Sequence, residues 1–102
     1  MTSKSLITTK RMKAIHPGEI LAMEMESREL SSLALALRLR VPANRISEIV
    51  KGKRSITPET ALRLGRYLGT GPEIWNRLQS DFDLAQAERQ FGAQIRREVE
   101  AA

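Results

Sequence analysis

The sequence predicts an all-α protein of five helices joined by short turns. Each of its four prolines stands where a helix can begin, and apolar residues recur three and four positions apart after each of them. The length of 102 residues fits a single domain. A composition of 41% hydrophobic and 28% charged residues is typical of a globular chain.

Three of these helices begin at clear sequence signals. Pro17 suits the first position of a helix, where its missing N–H costs nothing. Thr57 is a natural N-cap ahead of Pro58, and Gly69 ends that helix. Pro72 begins the last helix, whose apolar residues recur at helical spacing and continue toward the C-terminus: Trp75, Leu78, Phe82, Ala85, Phe91, Ile95 and Val99.

The second helix is ambiguous in the sequence. Four leucines and a valine alternate with other residues, which is the pattern of a half-buried strand: Leu33, Leu35, Leu37, Leu39 and Val41. The residues between them include strong helix formers, and Leu35, Ala36 and Leu39 share one face of a helix. We therefore predict a helix with Ser31 as its N-cap, and a strand is the alternative.

Charge is concentrated in the middle of the chain. Lys plus Arg number 17 against 12 Asp plus Glu, and residues 35–66 hold eight bases but only two acids, Glu48 and Glu59. The calculated pI is about 10.2. This basic segment predicts a polyanionic partner.

The chain is divided into three segments by composition. Residues 1–15 carry four bases and no acid without helical periodicity, which indicates a flexible arm; an organelle transit peptide is the alternative. Residues 16–90 form the predicted domain. Residues 91–102 are expected to be a helical extension or tail.

Several classes of function are excluded by the residue inventory. The chain has no Cys and a single histidine, His16, which stands just before a helix and is expected to cap it. No phosphate-loop spacing, catalytic set or metal-ligand cluster is present, so we expect no enzyme, cofactor or metal. No apolar stretch is long enough for a membrane span, and a cytoplasmic location is expected.

Residues 31–53 have the spacing of a helix-turn-helix. A helix from Ser32 to about Arg38 is followed by a turn and by a second helix from Ala43 to Val50. Ala36 is small where the two helices must cross. Isoleucines at 46 and 49 can anchor the second helix to the first.

The other face of that second helix is polar, with Asn44, Arg45, Ser47 and Glu48. Arginine pairs with guanine, asparagine with adenine, and glutamate accepts from cytosine N4. Three bases follow the helix where phosphates would flank it: Lys51, Lys53 and Arg54. These residues predict a DNA-reading surface, and the alternative is the solvent face of an ordinary bundle helix.

Three segments together resemble one known family. They are HPGEIL at 16–21, VPANRISEIVKGKRSITPETALRL at 41–64 and PEIW at 72–75. This combination resembles the HigA/VapI antitoxins, which belong to the Xre-like, lambda-repressor-type helix-turn-helix proteins. The resemblance implies a lambda-repressor-like fold of five helices. It also places Ser32 and Ala43, the first residues of the two motif helices, among the DNA-binding positions.

The resemblance further implies an antitoxin that binds and neutralises a RelE-like, mRNA-cleaving toxin and represses its own operon. A stand-alone regulator without a toxin and a protein-interaction bundle are the alternatives. The chain departs from the family pattern at three positions: Arg40 stands where glycine is usual, Ser32 where glutamine is usual, and Gly71 where serine is usual.

A homodimer on a pseudo-palindromic operator is expected, because one recognition helix reads too few base pairs for useful specificity. We place the interface on the last helix, with five candidate residues: Trp75, Leu78, Phe82, Phe91 and Ile95. Alternatively, Trp75 and Leu78 close the core of the monomer.

Overall fold

Five α-helices form the part of the chain that the computed structural model describes, residues 15–102. The helices are α1 (Pro17–Ser27), α2 (Ser32–Leu39), α3 (Ala43–Val50), α4 (Pro58–Leu68) and α5 (Glu73–Glu98). No strand occurs within this range, so the all-α prediction is confirmed. The arm predicted for residues 1–15 lies, except for Ile15, outside the described residues.

The predicted caps are confirmed at three helix starts. Ser31 Oγ accepts a hydrogen bond from the backbone N–H of Ala34 at 3.0 Å. Thr57 Oγ1 accepts from the N–H of Thr60 at 3.3 Å. His16 Nδ1 accepts from the N–H of Gly18 at 2.9 Å. Each side chain satisfies a donor that the first turn of a helix cannot satisfy itself.

The leucine alternation belongs to a helix. Leu35, Ala36 and Leu39 are buried in α2, whereas Leu33 and Leu37 are 58% and 68% exposed. The buried residues follow the helical period, and the alternating leucines divide between the core and the surface. The Ser31 cap and the high helix propensity of Leu and Ala favour the helix over the strand.

The core lies between α1 to α4 and the first turns of α5. Its fully buried side chains come from every helix and include Leu21, Leu35, Ile46, Leu64 and Trp75. The Trp75 indole N–H donates to Thr70 Oγ1 at 2.9 Å, so this large side chain is buried without an unsatisfied polar atom.

Two glycines allow backbones to touch. A Cβ on Gly18 would collide with the carbonyl oxygen of Ile49, so α1 crosses the end of α3 at a distance only glycine permits. A Cβ on Gly65 would collide with the backbone of Gly71. These contacts set the positions of α3 and α5 relative to α1 and α4.

The last helix extends beyond the core. The described part of the chain measures 49 × 27 × 20 Å, and α5 from its middle onward presents exposed apolar side chains at Leu84, Phe91 and Ile95. Among the described helices, none is long and apolar enough to cross a membrane.

Candidate nucleic-acid interface

Helices α2 and α3 are joined by a tight turn at Arg40. Its backbone is left-handed, with φ 62° and ψ 45°. This conformation lets the N–H of Val41 donate to the carbonyl of Ala36 at 3.1 Å, which closes the end of α2. Ala36 itself is only 1% exposed, and its small side chain permits the close crossing of the two helices.

Helix α3 has one apolar and one polar face. Ile46 and Ile49 are completely buried, which fixes the helix against the core. Asn44 and Lys51 are exposed on the other side. The Ser47 hydroxyl is half-buried and donates to the carbonyl of Asn44 at 3.2 Å. The structure therefore presents Asn44 freely, whereas Ser47 is engaged by its own helix.

Arg45 is held by a network that the sequence did not indicate. Its guanidinium lies 3.5 Å from Glu59 Oε1, at the first turn of α4. Glu59 Oε2 accepts from Arg63 Nε at 3.0 Å. Arg63 also donates to the carbonyl of Leu39 at 2.9 Å. The chain of contacts runs from the end of α2 through α4 to the recognition helix. Only the Glu59–Arg63 spacing of four residues signalled part of it.

Glu48 and Arg54 neutralise each other. Arg54 Nε donates to Glu48 Oε1 at 2.8 Å, and a second guanidinium nitrogen lies 2.7 Å from the same oxygen. Arg54 is thereby drawn toward α3. Lys51 and Lys53 are exposed, and neither forms an ion pair within residues 15–102, so both are free to meet a phosphate.

Gln79 is a functional position that sequence reasoning missed. It is 6% exposed, and its Oε1 accepts from the backbone N–H of Ile56 at 2.8 Å. Its Nε2 donates to Asp83 Oδ1 at 2.9 Å. This side chain ties the loop after α3, which carries the basic residues, to α5. The only available signal was a polar residue one turn after Trp75, on the buried side of the helix.

The other predicted positions fall into two groups. Ser32 is half-buried and Ala43 is exposed, each at the first residue of its helix. Trp75 is 2% exposed and belongs to the monomer core, which corrects its assignment to the dimer interface. A large side chain that is buried in the core of the monomer is not available to contact a partner chain.

Four interface candidates remain. Leu78 is half-buried against the core. The Phe82 ring packs edge-on against the His16 ring, with 4.9 Å between the ring centroids. Phe91 and Ile95 are 44% and 50% exposed. Only the last two are turned toward solvent in the monomer.

A metal centre is not found in the described part of the chain: no three His, Asp or Glu side chains are grouped there to hold an ion. The candidate interface consists of polar side chains on α3 and the basic residues that follow this helix.

The close pairing of α2 and α3, with a polar face turned outward, defines a helix-turn-helix protein. Residues 21–75 match the family HTH_3, described as helix-turn-helix, and the chain belongs to this family. Within it, the predicted HigA/VapI type is confirmed by similar relatives and solved structures. The chain is 49% identical over 79 residues to virulence-associated protein I of Dichelobacter nodosus, covering 76% of this chain and 73% of the relative.

Solved structures are also similar to this chain. An addiction module antidote protein of a HigA family from Coxiella burnetii is 44% identical with a TM-score of 0.86, over 89% of this chain and 100% of that one. Pseudomonas aeruginosa antitoxin HigA, solved with the higBA promoter, is 43% identical with a TM-score of 0.84, over 86% of this chain and 97% of that one.

Proposed function

We propose that the protein is a dimeric antitoxin that binds duplex DNA through α3, represses its own operon and neutralises a toxin protein. The observation that supports DNA binding most directly is the α3 surface. Its isoleucines are buried, Asn44 is exposed and Arg45 is half-buried beside Glu59, and the exposed Lys51 and Lys53 follow the helix. The similar HigA protein was solved with promoter DNA, which supports the same use of this surface.

The polar residues of α3 and the lysines that follow it contact different parts of the DNA. Asn44 and Arg45 reach base edges in the major groove, and Lys51 and Lys53 contact phosphates on either side. In the free protein, the ion pair with Glu59 keeps the Arg45 side chain near the N-terminal end of α3. Glu48 and Arg54 form a neutral ion pair beside α3, so Lys51 and Lys53 supply the net positive charge that attracts the DNA backbone.

A second copy of the chain covers the exposed end of α5. Leu84, Phe91 and Ile95 lie on this part of the helix at spacings of seven and four residues, which brings them to one side. Two chains joined there would present two α3 helices to half-sites about 34 Å apart on a pseudo-palindrome.

The toxin partner is a RelE-like ribonuclease that cleaves mRNA in the cytoplasm, as the HigA/VapI resemblance implies. The antitoxin needs no catalytic group for this, since covering the toxin's active site is sufficient. Residues 43–54 are assigned to DNA, so the toxin is expected on another surface of the molecule.

The test combines two assays on the full chain. A gel shift measures binding to a duplex from the region upstream of the gene, and a growth assay measures protection against the product of the adjacent reading frame. Binding with protection supports the proposal. Binding without protection against any adjacent product supports a stand-alone regulator, and absence of binding contradicts the DNA-binding role.

A further inference from the structure

A strongly basic cavity lies beside the recognition helix, between the end of α2 and the middle of α4. Its volume is about 300 Å³, and six residues line it: Arg38, Leu39, Arg40, Arg63, Arg66 and Tyr67. Four of the six are arginines, and none of the described lining residues carries a carboxylate. We call this feature the arginine cavity.

Three of the four guanidinium groups have no partner among residues 15–102. Arg38, Arg40 and Arg66 are exposed, and none takes part in an ion pair or a side-chain hydrogen bond with another residue of the range 15–102. Arg63 alone is engaged, by Glu59 and by the Leu39 carbonyl. Unpaired like charges around one concavity repel each other until an anion enters. Forked guanidinium donors match the oxygens of a phosphate.

Arg40 occupies its place against its own backbone preference. Its φ of 62° lies in the left-handed region, which is unfavourable for a residue with a Cβ and free for glycine. A turn residue that only had to end α2 would be better as glycine. Among the described residues, Glu29 is the other non-glycine residue with such a backbone, so the turn tolerates a side chain but does not itself require an arginine.

The position of the cavity favours DNA as the source of the anion. Two residues separate Arg40 from the start of α3, which is the end of that helix that carries Asn44 and Arg45. Arg63 reaches Arg45 through Glu59. Four of the six described lining residues are arginines, and Leu39, the one aliphatic residue among them, is 3% exposed, so the attraction that the cavity offers a ligand is mainly electrostatic.

We propose that the arginine cavity binds backbone phosphates of duplex DNA, beside the base pairs that α3 reads. This inference rests on the proposed DNA-binding function. It adds phosphate contacts that do not depend on the base sequence of the DNA. The free arginines at 38, 40 and 66 supply the charge, and Tyr67 forms part of the wall. Arg63 holds the end of α2 in place.

The experiment compares salt dependence in variants of the full chain. Arg40→Gly and the double variant Arg38→Gln/Arg66→Gln each remove cavity charge. Arg77→Gln removes an exposed charge on α5, outside the cavity, and serves as the matched control. Binding is measured from low to high salt on two duplexes of equal length, one from upstream of the gene and one of unrelated sequence.

The slope of log K against log salt is expected to become shallower by about one per subunit for each phosphate that the variant no longer neutralises. Both duplexes should be affected alike, and Arg77→Gln should leave the slope unchanged. Arg40→Gly should also raise the melting temperature, because it relieves the left-handed turn. If Arg40→Gly binds DNA more weakly although it is more stable, the loss of binding cannot be due to unfolding.

Three results would overturn the inference. Cavity variants that share the slope of Arg77→Gln would show that no phosphate is bound there. A loss confined to the upstream duplex would indicate base reading instead. Failure to protect against the toxin with an unchanged slope would make the cavity a protein-binding surface. If the unaltered chain binds neither duplex, the proposed function fails, and the inference fails with it.

Discussion

At the residue scale, Gly18 controls the position of the recognition helix. Its missing Cβ leaves room for the carbonyl oxygen of Ile49, and neither backbone can move aside without displacing α1 or α3. We expect Gly18→Ala to lower the free energy of unfolding by about 1–3 kcal/mol through overpacking. Urea denaturation measures the change.

Gly92 provides the matched control for this substitution. The atoms nearest to a Cβ there belong to the carboxylate end of Glu88, an exposed side chain that pairs with Arg96 on the surface and can shift. Because alanine is the better helix former by about 0.5–1 kcal/mol, Gly92→Ala should leave stability unchanged or higher. Equal destabilisation by both substitutions would contradict the close approach of α1 and α3.

Gln79 determines whether the basic loop is anchored. Its side chain accepts the buried N–H of Ile56, and no other partner is present for that donor in the described structure. Gln79→Leu keeps the side chain's bulk but leaves the N–H unsatisfied, at a cost of about 1–3 kcal/mol. Thermal denaturation tests this, with the exposed Gln86→Leu on the same helix as control. A Gln79→Leu protein as stable as this control would disprove the anchoring role.

At the element scale, the helices could be predicted from the sequence because their signals are local. Ser31, Thr57 and His16 act as caps within a few residues of their own position. The choice of helix over strand for α2 also followed from propensity and from one buried face. The contacts that orient the candidate site could not be predicted in this way. Arg45 and Glu59 meet only after α3 and α4 have packed.

The assignment of Trp75 shows the same limit. Helical spacing placed it on an apolar stripe, but a stripe does not tell whether the core or a partner covers it. The short loop from Gly69 to Pro72 folds α5 back onto α4, and this brings the indole to Thr70 and into the core. The geometry of this loop therefore determines that Trp75 lies in the core.

The two parts of the α3 surface should respond differently to mutation. Arg45→Ala removes a base contact, and we expect a loss of about 1–3 kcal/mol per half-site with relaxed preference at one position. Lys53→Ala should weaken binding to all sequences alike and reduce the salt slope by about one per subunit. Competition gel shifts with operator and unrelated DNA distinguish these outcomes.

Both variants should still protect cells from the toxin, because the toxin is assigned to another surface. Circular dichroism serves as the folding control. If Arg45→Ala stayed folded but lost DNA binding and protection together, the two functions would share α3, and the assignment of residues 43–54 to DNA alone would be wrong.

At the scale of the whole molecule, the projecting end of α5 is expected to join two chains. Phe91 and Ile95 are the predicted interface residues that remain exposed in the monomer. A charge placed there would have to be buried without a partner, so Phe91→Asp should shift the protein to monomers at micromolar concentration. Light scattering provides the measurement.

Met23→Asp is the control for that variant, since Met23 is 65% exposed on α1, away from the α5 surface. It should remain dimeric. A monomeric unaltered protein, or a Phe91→Asp protein that stays dimeric, would contradict the assignment of the interface to α5.

The central claim is that this basic helix-turn-helix binds duplex DNA largely through phosphates. A salt series with the full chain and a duplex from upstream of its gene tests it most directly. If about six phosphates are neutralised per dimer, log K should fall against log salt with a slope of roughly −5. A slope near zero would contradict the claim.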